Sequence, residues 1–225
     1  MMLAVLVNTI AVIVGSLIGL LFKKSIPKKI SDAIMIGIAL CTVYIGISGA
    51  LKGENTIVLI ISIVLGAITG TLLDIDGFVD GIGNKLQNRF GGNKISEGFM
   101  TASLLFCIGA MTIVGSLNAG LGDYEMIFTK SVLDFISAIM LSVSLGIGVL
   151  FSAAFVLVFQ GLLTLLSSVI APVLSTEAIN EMICAGSILI IGMGLNMLGA
   201  TKIKVANYLP AIFFAPLIYY LVNIF

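Results

Sequence analysis

The sequence predicts an all-α polytopic membrane protein, a bundle of about eight transmembrane helices, with seven as the alternative number. Its 225 residues are 60% hydrophobic and 10% charged, whereas an ordinary soluble domain is about 45–50% apolar and about 25% charged. A soluble fold of this length could not bury so much apolar surface. The charges lie between long continuous apolar runs, and because these runs do not alternate, a β-barrel is not expected.

Eight apolar segments of about the 20 residues that a membrane span needs follow one another along the chain. They cover residues 3–22, 33–51, 56–73, 98–118, 127–147, 150–170, 180–199 and 205–224. Positive charge follows the first segment and does not precede it, so we interpret that segment as a retained span and not as a signal peptide. Residues 126–174 form one apolar block. We place a turn near residues 146–152, with a re-entrant pair of half-helices as the alternative.

The distribution of lysine and arginine predicts the orientation, because positive residues concentrate in cytoplasmic loops. With the N-terminus outside, nine of the eleven basic residues fall on the inner side, and outside fall only Lys52 and Lys130. The acidic connections Asp123/Glu125 and Glu177/Glu181 then also fall outside. We expect a single multi-pass domain over residues 1–225, in a bacterial inner membrane.

The longest connection, residues 74–95, is predicted to form a short amphipathic helix in the inner membrane interface. Phe78, Ile82, Leu86 and Phe90 recur in it every four residues, so a helix places them on one face. A polar loop with chance spacing is the alternative.

Parts of the chain also repeat. An Asn-Thr-Ile triplet precedes a pair of glycines four residues apart at residues 8–19, and again at residues 55–70. The second span also resembles the fourth, and the third resembles the fifth. These similarities indicate that spans 2–3 and spans 4–5 are parallel copies of one helical hairpin, with chance similarity as the alternative. Small residues at this spacing let helix backbones approach closely. Helix packing is therefore predicted at Gly15, Gly19, Gly66, Gly70 and Gly148.

Lys130 and Asp134 are the strongest candidates for chemistry. They lie four residues apart at the outer end of the fifth predicted span, so a helix places them on one face. Charges in the hydrocarbon region are costly and usually face the protein interior or water. Asp134 could bind a cation or a proton while Lys130 adjusts its affinity. The alternative is a lysine that snorkels to the interface with a tethered aspartate partner.

Three amide side chains are further candidates. Gln160 lies near the middle of the sixth span, where a buried amide needs partners; it bonds another helix or lines a solute site. Asn196 lies near Gly192 and Gly194, which loosen the helix and could free carbonyls for an ion, although close packing is an equal explanation. Asn118 marks the outer end of the fourth span, and a helix terminus explains it as well.

Several motifs carry a resemblance to a known family. They include Thr129-Lys130-Ser131-Val132-Leu133-Asp134, Phe159-Gln160-Gly161, Gly194-Leu195-Asn196 and Asn207-Tyr208-Leu209-Pro210-Ala211. Over essentially the whole chain, the sequence resembles the family of uncharacterised bacterial inner-membrane proteins typified by YdfK and YqgA. The resemblance implies that Lys130, Asp134, Gln160, Asn196 and Asn207 are characteristic positions, although Ala206 stands where the family pattern has glycine. It implies no activity, because none is established for the family.

We expect a transporter or channel for a small solute or ion, with a non-transporting scaffold or sensor acting through partner helices as the alternative. The repeats, the polar residues within spans and a last span interrupted by Pro210 and Pro216 favour transport. The chain has no histidine and no nucleophile elbow or metal-ligand cluster, so an enzyme, a metal or a cofactor is not expected. We expect the lipid bilayer and a second copy in a homodimer as partners, and no nucleic acid.

Overall fold

The structure is a computed structural model, and it describes residues 2–23, 27–90, 95–108 and 110–223. Lys24 and Lys94 of the predicted inner loops lie outside these ranges. The helices are α1 (Met2–Lys23), α2 (Lys28–Ala50), α3 (Thr56–Leu72), α4 (Ile75–Phe90), α5 (Ile95–Cys107), α6 (Ala110–Gly120), α7 (Glu125–Leu145), α8 (Gly148–Leu165), α9 (Ser167–Ile170), α10 (Thr176–Met197) and α11 (Ala211–Val222), with a 3-10 helix at Val205–Tyr208.

The prediction of a helical membrane bundle is confirmed. Among the described residues, six helices are long and apolar enough to cross a membrane, and there are eight spans if each of two bent helix pairs forms one. Large apolar side chains such as Leu3, Ile10 and Leu21 are exposed, as is expected of surfaces that face lipid. The chain divides into two compact units, residues 1–38 with 81–172 and residues 39–80 with 173–225.

In the first unit, α1 packs along α7 and α8, and α5 packs on α8. The buried face of α1 carries residues at helical spacing, among them Ala4, Asn8, Val12 and Gly19, which is the pattern of a helix that buries one stripe. A Cβ on Gly19 would lie 2.8 Å from Ser142 Cβ and would also collide with the Ile139 carbonyl oxygen. Glycine therefore permits the close approach of α1 to α7.

The turn predicted near residues 146–152 lies between α7 and α8, and both flanking segments are full helices rather than a re-entrant pair. Gly146 has φ +79° and ψ −151°, a conformation that is essentially restricted to glycine. Gly148 then opens α8, and a Cβ there would lie 2.9 Å from the Phe99 nitrogen. Gly146 therefore lets the chain reverse direction in a short turn between α7 and α8, and Gly148 lets α8 pack against the backbone of α5.

The fourth predicted span differs from expectation, because it is two helices and not one. The axes of the α5 and α6 segments are bent by 61°. Beyond the break, the Thr112 hydroxyl donates a 2.8 Å hydrogen bond to the Phe106 carbonyl oxygen. A side chain thus satisfies a carbonyl that the interrupted helix leaves free, as buried irregular backbone in a membrane protein requires.

In the second unit, α11 packs on α3 and α10. The Asn55 side chain caps α3 by accepting hydrogen bonds from the Ile57 and Val58 nitrogens at 3.0 and 3.3 Å, which satisfies amides at the helix start. A Cβ on Gly66 would lie 2.6 Å from the Ala211 Cβ. Like α1, α3 therefore uses its glycines to contact another helix of its own unit.

The predicted helix within residues 74–95 is present as α4. It follows a bend of 54° after α3, at which Asp74 has φ +47°, a left-handed conformation that aspartate tolerates better than most residues. The location of α4 at the membrane interface, the hairpin repeat and the single-domain assignment stay predictions.

Candidate ion-pair site

Lys130 and Asp134 form a buried ion pair in the first unit. The Lys130 Nζ atom contacts the Asp134 Oδ2 atom, and the two residues are only 5% and 6% exposed. Asp134 lies nine residues after the start of α7, or about 13.5 Å at the helical rise of 1.5 Å per residue. The pair is therefore held inside the helix packing and does not snorkel to the surface.

Asn8 of α1 joins this pair to Gln160 of α8. Its Nδ2 atom donates to Asp134 Oδ2 at 3.0 Å and to Gln160 Oε1 at 3.1 Å. Both amide residues are fully buried. The Asp134 carboxylate accepts hydrogen bonds and cannot donate them, so it orients the Asn8 amide, and the Asn8 amide in turn orients Gln160. The Lys130–Asp134–Asn8–Gln160 network thus links three helices.

This network leaves two polar atoms unused. The Asn8 Oδ1 and Gln160 Nε2 atoms are buried and have no hydrogen-bond partner among the described residues. One is an acceptor and the other a donor, and a buried amide atom without a partner is costly.

The interrupted helix lies next to the cluster. The Lys130 Nζ atom is 5.9 Å from the centroid of the Phe106 ring, within the range of a cation–π contact. Phe106 and Cys107 are the last residues of α5 before the 61° bend. The lysine thus contacts both the carboxylate on its own helix and the end of a broken helix.

Asn196 belongs to the second unit, where it closes a loop after α10. Its side chain donates to the Ile203 carbonyl at 2.7 Å and accepts from the Thr201 hydroxyl at 2.7 Å and the Ile203 nitrogen at 2.9 Å. All three hydrogen bonds of the Asn196 side chain join it to the segment that follows α10. They support a structural role for Asn196 in holding this segment, which carries Lys202 and Lys204.

Asn207 and Asn118 also lie at helix ends. Asn207 is in the second unit, where its Oδ1 atom accepts a 2.8 Å hydrogen bond from the Asp76 nitrogen near the start of α4. Asn118 is in the first unit, where its carbonyl oxygen accepts from the Leu121 and Asp123 nitrogens after α6, the behaviour of a residue near a helix terminus.

Two of the buried polar residues, Asn8 and Glu181, are not among the site residues that the sequence predicts. In the sequence, Asn8 is visible as part of a repeat, and the signal that could identify it as a site residue is its polar side chain within the first span. The sequence places Glu181 with Glu177 in an acidic outer connection, whereas in the structure Glu181 lies within α10 and is 2% exposed. Its Oε1 atom accepts hydrogen bonds from the Glu54 and Asn55 nitrogens, both at 2.9 Å.

The fold and the buried pair define a polytopic helical membrane protein with a polar cluster between its spans. Comparison with known proteins then identifies its family. Residues 3–220 match the family described as Protein of unknown function (DUF554), and the chain belongs to this family. The predicted resemblance is thereby confirmed.

Two relatives extend over nearly the full length of the chain. The chain is 34% identical over 223 residues to the Uncharacterized membrane protein YdfK of Bacillus subtilis (strain 168), which covers 97% of this chain and 96% of the relative. It is 27% identical over 217 residues to the Uncharacterized protein YqgA of Escherichia coli (strain K12), covering 93% and 92%. No solved structure matches the chain.

Proposed function

We propose that the protein transports a small ion or solute across the membrane, with the Asp134 carboxylate as its exchange site. The observation that carries the proposal is the buried Lys130–Asp134 pair between three apolar helices. Ionisable groups within spans are costly, and they characteristically mark ion and substrate pathways or proton relays.

In this mechanism Lys130 acts as an internal counter-ion. A proton or small cation that reaches Asp134 competes with the ammonium group for the same carboxylate, and its arrival releases Lys130 from Asp134. Asn8, which donates to the Oδ2 atom at 3.0 Å, orients the carboxylate in both states. The exchange of charge partners changes the contacts between α1, α7 and α8, and such a change can couple binding to movement of helices.

The broken helix supports the same proposal. Transporters place interrupted helices at their binding sites, because freed backbone groups and helix ends can coordinate cargo. Here α5 ends beside Lys130, whose Nζ atom is 5.9 Å from the Phe106 ring centroid. A change in the position of Lys130 would therefore act directly on the break between α5 and α6.

A flux assay tests the proposal. We expect purified protein in liposomes to carry protons, sodium or potassium down an imposed gradient, and Asp134→Asn to reduce this flux at least tenfold because the charge that binds the ion is gone. Asp123→Asn is the matched control, since its exposed carboxylate only caps the Glu125 nitrogen at 3.1 Å and an amide oxygen can do the same. Equal flux with Asp134→Asn and with the parent would refute the exchange site, and no flux of any of these ions would refute ion transport.

We further infer that the protein lies in a bacterial inner membrane with its N-terminus outside, on the basis of the bias in basic residues, and that it acts as a homodimer and not as an enzyme. The alternative function, a scaffold that binds partner helices, would use free small-residue faces. Gly15, Gly19, Gly66 and Gly70 each contact backbone or Cβ atoms of their own unit, and this favours transport over the scaffold.

A further inference from the structure

The second unit contains an acidic cavity that the proposed transport mechanism does not use. Its volume is about 260 Å³, and it lies where the loop before α3 meets α10 and α11. Its lining consists of three carboxylates, three amide side chains and a phenol, with no lysine or arginine: Glu54, Glu177, Glu181, Asn55, Asn180, Asn223 and Tyr219.

Glu181 is the residue that distinguishes this cavity from a solvated acidic surface. It is 2% exposed, and its Oε1 atom is held by the Glu54 and Asn55 nitrogens at 2.9 Å each. Its Oε2 atom is also buried and has no hydrogen-bond partner among the described residues. Half of the carboxylate is therefore satisfied by the start of α3, and the other half needs a donor or a cation.

A cation fits this requirement better than a neutral donor does. The lining contributes three formal negative charges without a basic side chain, so a cation gains a Coulomb attraction there that a neutral donor does not. All available ligand atoms on the carboxylates, amides and phenol are oxygens, the ligands that hard cations such as Ca²⁺ and Mg²⁺ prefer.

The geometry also limits how such an ion is held. In the part of the chain that the structure describes, no three side chains of the His, Cys, Asp or Glu type are close enough to ligate one ion together. The ion therefore keeps part of its water shell, for which a cavity of about 260 Å³ has room, and the remaining carboxylates and amides bond to these waters.

We infer that this cavity binds a partly hydrated divalent cation, with Glu181 as a direct ligand and Glu177 in the surrounding shell. Because Glu181 also binds the amides that precede α3, the cation links α10 to the start of α3. Its role is structural stabilisation of the second unit, and it is independent of Asp134 in the first.

Calorimetric titration of the purified, chelator-treated full chain with CaCl₂ and with MgCl₂ tests this inference. We expect one saturable site for at least one of the two ions, and a dissociation constant that Glu181→Gln and Glu177→Gln each raise at least tenfold. Gln at position 181 still offers an oxygen to the Glu54 and Asn55 nitrogens, so that variant keeps the cap. Glu177 is exposed, so its replacement tests the site without disturbing the core.

Glu125→Gln is the matched control, because Glu125 is also an exposed acid in the first turn of a helix and does not line the cavity. It should leave the dissociation constant unchanged. The inference is overturned by the absence of saturable binding of either ion up to about 10 mM, ten times the weakest usual range of extracellular calcium modules. It is equally overturned if both cavity variants bind like the parent, or if Glu125→Gln weakens binding as much as they do. None of these outcomes depends on ion flux through the first unit.

Discussion

Replacing Lys130 alone should destabilise the protein strongly, because it leaves a buried carboxylate without its cation. We consider Lys130→Met, which keeps most of the apolar stem and removes the ammonium group. Asp134 would remain 6% exposed, with the Asn8 Nδ2 atom at 3.0 Å as a remaining donor. Breaking a buried ion pair by removing one partner costs about 3–5 kcal/mol, and the Asn8 bond together with protonation of the carboxyl places the expected loss near the lower limit.

The double variant Lys130→Met/Asp134→Asn should recover most of this loss. It carries no buried charge, and the amide oxygen at position 134 can still accept the hydrogen bond from Asn8. Neutral replacement of a buried pair is often without cost, so we expect stability within about 1 kcal/mol of the parent. The double variant would therefore be at least about 2 kcal/mol more stable than Lys130→Met. This difference is larger than the average of about 0.6 kcal/mol for a hydrogen bond between membrane helices, so it would report the buried charge and not a hydrogen bond.

Reversible unfolding in mixed micelles measures these free energies. The signal should be helical circular dichroism, because the chain has no tryptophan. Lys52→Met is the control, since Lys52 is exposed and a surface substitution changes stability by no more than about 0.5 kcal/mol. If Lys130→Met costs as little as Lys52→Met, the ammonium group does not compensate the buried carboxylate and the reasoning fails.

Two further predictions concern packing and the loop after α10. Gly148→Ala should lower the free energy of unfolding by about 1–3 kcal/mol, because the added Cβ would lie 2.9 Å from a backbone nitrogen of α5. Gly37→Ala should instead stabilise α2 by about 0.4–1 kcal/mol, because a Cβ there meets nothing within 4 Å. Unfolding in micelles measures both changes, and equal effects of the two variants would contradict the close approach of α8 to α5. Asn196→Ala should accelerate tryptic cleavage after Lys202 and Lys204, because three hydrogen bonds that hold this loop are lost. Mass spectrometry of timed digests measures the cleavage rate, with Asn118→Ala as the control. If Asn196→Ala is cleaved no faster than the parent and the control, Asn196 does not hold the loop.

The helices and the Lys130–Asp134 pair were open to prediction because they depend on local sequence. A run of about 20 apolar residues indicates a span wherever it occurs, and a spacing of four places two side chains on one helix face. By contrast, the break between α5 and α6 lies within a continuous apolar stretch, so hydropathy gives no signal for it. Gly109 stands at this point in the sequence, but isolated glycines are common in membrane helices and do not by themselves predict a bend.

By itself, the sequence determined the class of protein, the approximate positions of its spans and one pair of candidate charges. Only the tertiary structure decided which polar residues share a site. Asn8 is 126 residues from Asp134 and 152 from Gln160, and Glu181 is 127 residues from the Glu54 nitrogen that it binds. Contacts at such separations follow from how helices pack, and packing depends on the fit of whole helix faces, which the residues near any one position do not specify.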